Sequence, residues 1–362
     1  MSIATQPVRP PRLAASGGRL KRRASALFEE KPNNFDVIRL VFALSVIYSH
    51  SYPVSGSSSG DLVERFVGGT DLGKVAVHGF FVISGYLILK SWIRNPSLPD
   101  YLQNRVLRIY PAYFVAFVVS ILMGAIFGGV GPVQFYHAVH AVSIETWLLI
   151  LQTIGKPPHL TGYVHDYANG DLNGAMWTLV YEFQCYLGVL ALGVLRLAGK
   201  AWVSYVVFVG FYVAFISEHH NYFWSIQFFT YFAAGMCYYH LERHIPMSGY
   251  VCLALIGLIA ALVLLDESVE LALPFCLVYW VYYVALVARP MSWLRADLSY
   301  GTYLYGWPIE IAVFHFMPGV HPLLVTGISV LLALGAASLS WRFVELPALR
   351  RKRRPAPEHA YA

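Results

Sequence analysis

Apolar runs of about 20 residues follow one another along most of this chain, and they constrain its fold more than any other feature. A helix of that length spans the ~30 Å hydrocarbon core of a bilayer. Only 13% of the residues are charged, whereas a soluble domain carries about 25%. We therefore predict an all-α integral membrane protein, a bundle of about ten transmembrane helices at residues 35–53, 73–93, 108–130, 174–196, 201–217, 222–241, 249–265, 270–288, 299–317 and 321–343.

The positions of Lys and Arg predict the orientation of this bundle, since these residues collect on the cytoplasmic side. An eleventh apolar stretch, 139–154, is short and contains Glu145. If it stays on the outer face and the N-terminus is inside, 23 of the 26 Lys and Arg residues lie on the cytoplasmic side. If it crosses the membrane, the split becomes 13 and 13. The first arrangement obeys the positive-inside rule, so we predict that both the N- and C-termini are cytoplasmic.

Two basic tails flank the predicted transmembrane domain, which covers residues 35–347. Residues 1–34 lack the apolar core of a signal peptide and form a predicted disordered cytoplasmic tail, and residues 348–362 form a predicted basic cytoplasmic tail. The positive-inside rule accounts for the net charge of +6. We therefore expect no nucleic-acid partner. The four cysteines lie in apolar stretches without paired spacing, so neither a disulfide nor a metal site is expected.

Arg39 and His50 are two ionisable residues in the first predicted span. They are eleven residues apart, which places them on one helix face about 16 Å apart along the axis. An imidazole can act as a general base, which makes His50 a catalytic candidate. The alternative is an arginine that extends to the interface and a histidine at the outer boundary.

Two carboxylates also fall inside predicted spans. Glu182, in MWTLVYEFQCYL, lies about 12 Å from the outer end of its helix. A carboxylate at that depth is costly and is a functional candidate that can pair with a nearby Arg or His. Glu310 is a second buried carboxylate, and the sequence does not assign its role.

The segments YLQNRVLRIYPAY and FFVISGYLI carry further candidates. Arg105 and Arg108 are spaced i, i+3 at the predicted cytoplasmic start of the third span, where guanidinium groups suit phosphate. The alternative is ordinary flanking charge. Ser84 and Gly85 lie in mid-span, where small residues allow a slender ligand or a neighbouring helix to approach closely.

Together these segments resemble the acyltransferase 3 family of membrane acyltransferases. Five pieces in the family's order carry the resemblance: FDVIRLVFALSVIYSH with its Arg-x10-His spacing, FFVISGYLI, RVLRIYPAY, MWTLVYE, and SYGTYLYGWP followed by WRFVELP. One position departs from the pattern, because many members have a His where this chain has Gly306. The C-terminal esterase-like domain of some members is absent from this sequence.

The resemblance implies transfer of an acyl group, most commonly acetyl, from cytoplasmic acyl-CoA to a sugar hydroxyl of a cell-surface glycan. The expected partners are acyl-CoA, a carbohydrate acceptor and the lipid bilayer, with a homo-oligomer possible, and the expected location is the bacterial inner membrane. Two alternatives stay open: an acyltransferase for a lipid or small molecule, and a transporter or flippase whose buried charges line a path.

Our hypothesis gives each candidate a role. His50 acts as general base or carries the acyl group itself, and Glu182 orients His50. The groups proposed to bind acyl-CoA are Arg39, Ser84, Gly85, Arg105, Arg108 and Tyr110. Arg39 is expected to contact the CoA or to pair with Glu182.

Overall fold

The computed structural model describes residues 33–127, 173–217, 224–289, 291 and 296–351. Every regular element in these ranges is helical: α1 (Phe35–Val54), α2 (Leu62–Val67), α3 (Leu72–Arg94), α4 (Leu98–Phe127), α5 (Thr178–Val194), α6 (Ala201–Ser217), α7 (Trp224–Leu241), α8 (Gly249–Leu264), α9 (Leu273–Tyr282), α10 (Ser299–Phe316), α11 (Pro322–Ser340) and α12 (Leu346–Leu349). Wider π-helical turns, Tyr283–Val287 and Trp341–Glu345, extend α9 and α11. The stretch 139–154 and most of both predicted tails lie outside the described residues.

Within the described ranges, four helices are long and apolar enough to cross a membrane: Phe35–Val54, Leu72–Arg94, Leu98–Met123 and Pro322–Leu349. Four further apolar helices are shorter: Thr178–Val194, Ala201–Ser217, Gly249–Leu264 and Leu273–Val287. The protein is therefore an all-helical membrane protein, as the sequence indicated. The count of ten spans and the cytoplasmic termini stay predictions.

A close crossing of α3 and α7 forms the centre of the bundle. A Cβ atom on Gly85 would lie 2.0 Å from the backbone oxygen of Phe232, and one on Gly235 would lie 2.1 Å from that of Val82. Only glycine allows two backbones to approach this closely, as small residues do at helix contacts in membranes. Of the pair Ser84-Gly85 in FFVISGYLI, Gly85 therefore serves the packing of α3 against α7.

The first span, α1, packs between α3 and α10. Gly306 of α10 lies against α1, where a Cβ atom would come within 2.8 Å of the Ile47 side chain. A histidine at this position would need the Ile47 side chain to shift. The departure from the family pattern at Gly306 therefore has a packing counterpart in Ile47.

The buried Asn34 fixes the start of α1 on the end of α9. Its backbone N–H donates to the carbonyl of Ala285 at 3.0 Å, and its side-chain amide donates to that of Val284 at 2.9 Å. Its side-chain oxygen accepts from the N–H of Met291 at 2.8 Å. The π-helical turn at the end of α9 supplies two of these partners. Asn34 therefore fixes the position of the first turns of α1, which carry Arg39.

The helix α4 begins at Leu98, ten residues before residue 108, where the third predicted span was expected to begin. The polar first turns of α4 conceal the helix from a search for apolar runs. Arg105 and Arg108 therefore lie well inside the helix, and the expectation that they sit at its start was wrong. Tyr101 anchors the early turns by donating to the carbonyl of Tyr186 at 2.9 Å.

Candidate active site

Two cavities lie at opposite ends of the bundle. The first, of about 320 Å³, is lined by Arg39, Ser84, Arg105, Arg108, Glu182, Tyr186 and Tyr300 among others, and we name it the arginine cavity. The second, of about 410 Å³, is lined by Ser49, His50, Tyr52, Asp71, His78 and Trp177 among others, and we name it the histidine cavity. Arg39 lies near the start of α1 and His50 near its end, so each cavity is lined by one of the two candidates.

Carboxylates already neutralise part of the charge in the arginine cavity. Arg108 forms a hydrogen-bonded ion pair with Asp297 and lies 3.9 Å from the Glu345 carboxylate. Arg39 lies 3.7 Å from Asp297. Burial by itself raises the pKa of Asp297, but Arg108 and Arg39 outweigh that effect and hold its pKa below the usual range. Asp297 is therefore a carboxylate that holds α1 and α4 to the start of α10.

Arg105 has more free hydrogen-bonding capacity than Arg108. Its Nε atom is enclosed and has no hydrogen-bond partner, and one terminal nitrogen reaches Ser91 at 3.5 Å. Its guanidinium stands 5.6 Å and 5.7 Å from the ring centroids of Tyr101 and Tyr186. These rings position the cation without using its N–H donors. Of the two predicted arginines, Arg105 is thus the one available to an anion.

Glu182 belongs to the arginine cavity. Its carboxylate accepts hydrogen bonds from the Ser84 hydroxyl at 3.1 Å and from the Tyr186 hydroxyl. The expectation that Glu182 orients His50 was wrong, because the helix turn that carries Glu182 faces the other end of the bundle. Arg39 does not pair with Glu182 either, since its carboxylate partner is Asp297.

His50 instead faces Glu310 of α10. The Nδ1 atom of His50 lies 4.0 Å from one Glu310 oxygen, and that oxygen has no hydrogen-bond partner. The other Glu310 oxygen accepts from the Ser51 hydroxyl at 2.8 Å. The edge of the Trp307 ring packs on the imidazole with centroids 4.8 Å apart. The geometry joins a histidine to a fully buried carboxylate, and the sequence signal for it was the carboxylate in the ninth predicted span.

Aromatic rings and small polar groups together line the histidine cavity. Trp177 and Tyr52 supply aromatic surface, while the turn 57–59 supplies serine hydroxyls. Asp71 accepts from the Ser49 hydroxyl at 3.1 Å and ties α1 to the start of α3. Rings with polar edges suit ligands that have both apolar faces and hydroxyl groups.

Three residues that the structure describes line both cavities, namely Val77, Thr178 and Tyr303. The hydroxyls of Thr178 and Tyr303 are hydrogen-bonded to each other at 2.7 Å. The two cavities thus meet at one wall, and the polar part of this wall is a pair of hydroxyl groups.

Two predicted ligand-binding residues do not line the arginine cavity as it is described. Gly85 lies in the crossing of α3 and α7. Tyr110 packs edge-on against Phe183 with ring centroids 5.9 Å apart. Ser84, Arg39, Arg105 and Arg108 do line it.

The described part of the chain is a helical bundle with a half-buried histidine and a separate cationic cavity, and comparison with known proteins assigns its class. The family model described as an acyltransferase domain matches residues 33–342. The chain belongs to this family, the acyltransferase 3 family, as the motifs indicated.

Two relatives cover most of this chain. One is an O-acetyl transferase of Shigella phage Sf6, 29% identical over 337 residues, which are 89% of this chain and 97% of the relative. The other is Nodulation protein 10 of Rhizobium leguminosarum bv. viciae, 28% identical over 365 residues, covering 88% of this chain and 93% of the relative. No solved structure matches the chain. The protein is therefore an acyltransferase, and one of these relatives is an O-acetyl transferase.

Proposed function

We propose that this protein transfers an acetyl group from acetyl-CoA to a hydroxyl of a cell-surface glycan, with the exopolysaccharides as the leading acceptor class. The observation that carries the proposal is the pair of cavities: a cationic one, and one lined by His50, whose Nδ1 atom faces the buried Glu310, meeting at a common wall. The similarity to an O-acetyl transferase supports acetyl as the group transferred.

The arginine cavity is the donor site in this proposal. Arg105 lines this cavity and has no carboxylate partner among the described residues, so its guanidinium can bind a CoA phosphate through strong charge-assisted hydrogen bonds. Arg39 and Arg108 add positive potential, although Asp297 already binds both. The Ser84 and Glu182 side chains, bonded to each other, line the path for the pantetheine arm beyond the phosphates.

His50 is the general base, and Glu310 holds it in place. A carboxylate beside Nδ1 fixes the tautomer that leaves Nε2 able to accept a proton, and it stabilises the imidazolium that follows. The acceptor hydroxyl loses its proton to His50 and its oxygen attacks the thioester carbon. The C–S bond then breaks, and the proton passes to the thiolate of CoA. In a two-step variant His50 itself attacks the thioester and carries the acetyl group.

The lining of the histidine cavity supports a sugar acceptor. Trp177 and Tyr52 provide faces on which a pyranose ring can pack, and Asp71 and the turn 57–59 provide acceptors and donors for its hydroxyls. A fatty acyl chain would offer these polar groups no hydrogen-bond partners, whereas a sugar ring would.

The test measures O-acetyl groups on surface and secreted polysaccharides of the host. The strains are wild type, a deletion, and the deletion complemented with wild-type protein, His50→Ala or His244→Ala. His244 is exposed after the end of α7 and lines neither cavity, so it is the matched control. We expect acetylation to disappear on deletion, to return with wild type and His244→Ala, and to stay absent with His50→Ala.

Other outcomes separate the alternatives. Acetylation that persists with His50→Ala would contradict the catalytic assignment. Unchanged acetylation with altered polymer export would favour a transporter. If neither changes, the glycan acceptor is wrong, and lipids and small molecules become the acceptors to examine.

A further inference from the structure

The wall where the two cavities meet carries hydroxyl groups that can donate hydrogen bonds to a ligand. Thr178 and Tyr303 carry the hydroxyl groups shared by both linings in the part of the chain that the structure describes, and Val77 is their apolar neighbour. A thioester delivered from the arginine cavity to His50 has to pass this wall. Its carbonyl group therefore comes to the two hydroxyls on the way.

One face of α10 carries Tyr303 of the wall and Glu310 of the proposed catalytic pair. Tyr303, Trp307 and Glu310 are spaced i, i+4 and i+7, which aligns them along one side of a helix. Trp307 packs on the His50 ring and Glu310 lies beside its Nδ1 atom. The Tyr303 side chain is therefore one helical turn from the residue that touches the imidazole. Phe80 packs edge-on against the Tyr303 ring at 5.7 Å and holds it there.

The hydroxyl pair can release a donor without leaving a buried group unpaired. Thr178 lies 2.7 Å from the Tyr303 oxygen and 3.3 Å from the carbonyl of Ala175. When Thr178 donates to either of them, the Tyr303 O–H is free to point elsewhere. A carbonyl oxygen that arrives between the cavities can accept that hydrogen bond.

We infer that the Tyr303 hydroxyl is a catalytic residue that donates a hydrogen bond to the thioester carbonyl oxygen of the acyl donor, with Thr178 as its positioning residue. This inference rests on the proposed function and adds the oxyanion-stabilising group that it lacks. The new C–O bond forms and the C–S bond breaks as described above. The carbonyl oxygen gains negative charge in the tetrahedral intermediate and returns to a carbonyl, while Tyr303 keeps its proton throughout.

The experiment compares Tyr303→Phe with Tyr305→Phe in the purified full-length protein in lipid nanodiscs. Both changes remove one buried tyrosine hydroxyl from α10, but Tyr305 lines neither cavity. Isotope-edited infrared spectroscopy of bound acetyl-CoA, labelled with ¹³C at the carbonyl, reports hydrogen bonding to that oxygen. We expect the carbonyl stretch to lie at lower frequency in wild type and Tyr305→Phe than in Tyr303→Phe.

Turnover gives a second readout. With labelled acetyl-CoA and host envelope vesicles as the acceptor, we expect Tyr303→Phe to lower kcat by about 10²- to 10³-fold, with KM for acetyl-CoA unchanged. Thr178→Val should lower kcat less, since it leaves the phenol in place. Tyr305→Phe should match wild type.

The two readouts distinguish a failure of the proposed function from a failure of the Tyr303 inference. If wild type transfers no label but shows the infrared shift and Tyr303→Phe loses it, the acceptor in the proposed function is wrong and the Tyr303 contact stands. If the carbonyl frequency is the same in all three proteins, or if Tyr303→Phe turns over at the wild-type rate, the Tyr303 inference is overturned. A fall in kcat accompanied by a lower melting temperature and no spectral change would mean a purely structural role.

Discussion

Glu182 and Glu310 are both carboxylates on helices of the bundle, yet their neighbours separate their roles. Glu182 accepts hydrogen bonds from Ser84 and Tyr186 beside the arginines. Glu310 has one oxygen bonded to Ser51 and the other facing His50. A residue type and a depth in the membrane identify both as candidates, but only Glu310 has the histidine neighbour that the proposed proton transfer requires.

Replacing Glu310 with Gln tests this division. The amide keeps the shape and the Ser51 contact but cannot stabilise a protonated His50, so we expect kcat to fall by about 10²-fold or more with little change in KM. Glu182→Gln is the matched variant, and its effect should appear in KM for acetyl-CoA. Steady-state kinetics with both substrates varied measures the split. Equal falls in kcat for the two variants would contradict it.

Arg105 and Arg108 should also differ when each is replaced with Ala. Loss of Arg105 removes N–H donors without leaving a carboxylate unpaired, so KM for acetyl-CoA should rise by about 10- to 100-fold at nearly unchanged stability. Direct binding of acetyl-CoA by calorimetry checks this. Arg243→Ala, an exposed arginine just after α7, is the control for general loss of charge. An Arg105→Ala protein with wild-type affinity would remove this residue from the donor site.

Arg108→Ala should act mainly on stability. It removes the nearest cation of Asp297, which among the described residues keeps only Arg39 at 3.7 Å, and the cation beside Glu345. Breaking a buried pair of this kind costs about 3–5 kcal/mol. Thermal unfolding in detergent should therefore show a lower Tm for Arg108→Ala than for Arg105→Ala. The reverse order would mean that the ion pairs contribute little to the fold.

At the scale of elements, the crossing of α3 and α7 holds the two cavities in place. Ser84 on α3 lines the arginine cavity, whereas His78 two turns earlier lines the histidine cavity. Gly85, next to Ser84 on α3, and Gly235 on α7 bring the backbones of these two helices together. The spacing of the cavities along α3 therefore depends on how closely α7 can approach.

Gly85→Ala is expected to destabilise the protein. The added Cβ would lie 2.0 Å from the Phe232 carbonyl oxygen, and overpacking of a rigid contact costs about 1–3 kcal/mol. Gly188→Ala on α5 is the matched control, since nothing lies within 4 Å of a Cβ there and alanine favours a helix by about 0.5–1 kcal/mol. Melting temperatures should fall for the first variant and stay or rise for the second. A raised KM without a change in Tm would return Gly85 to the donor site.

For the whole molecule, the cavities at opposite ends fit a donor that arrives from one side and an acceptor that binds at the other. The predicted topology puts the arginine cavity on the cytoplasmic side, where acetyl-CoA is made available, and the histidine cavity on the outer side. The acetyl group would then cross at the wall, while neither substrate has to cross the membrane.

Labelling of introduced cysteines tests this orientation. Ser58→Cys lies on the turn beside His50, and Arg243→Cys lies at the other end of the bundle; both positions are exposed. In intact cells a membrane-impermeant maleimide should label the first variant, and it should label the second only after permeabilisation. Wild type gives the background, because three of its four cysteines are buried. The opposite pattern would place His50 on the cytoplasmic side.

The sequence by itself determined the class of structure and the family. Long apolar runs fix a helical membrane protein, because a bilayer leaves a backbone few other ways to satisfy its hydrogen bonds. Its ordered motifs also pointed to Arg39, His50, Glu182 and the two arginines of α4, and the family match confirmed the relationship.

Only the tertiary structure decided which of these residues meet. Glu310 is 260 positions after His50 and reaches it because α10 packs on α1, a contact that no local pattern encodes. The same holds for Asp297, which binds two arginines from different helices, and for the Thr178–Tyr303 pair. Local periodicity sets the face on which a side chain lies, but the partner depends on helix contacts between distant parts of the chain.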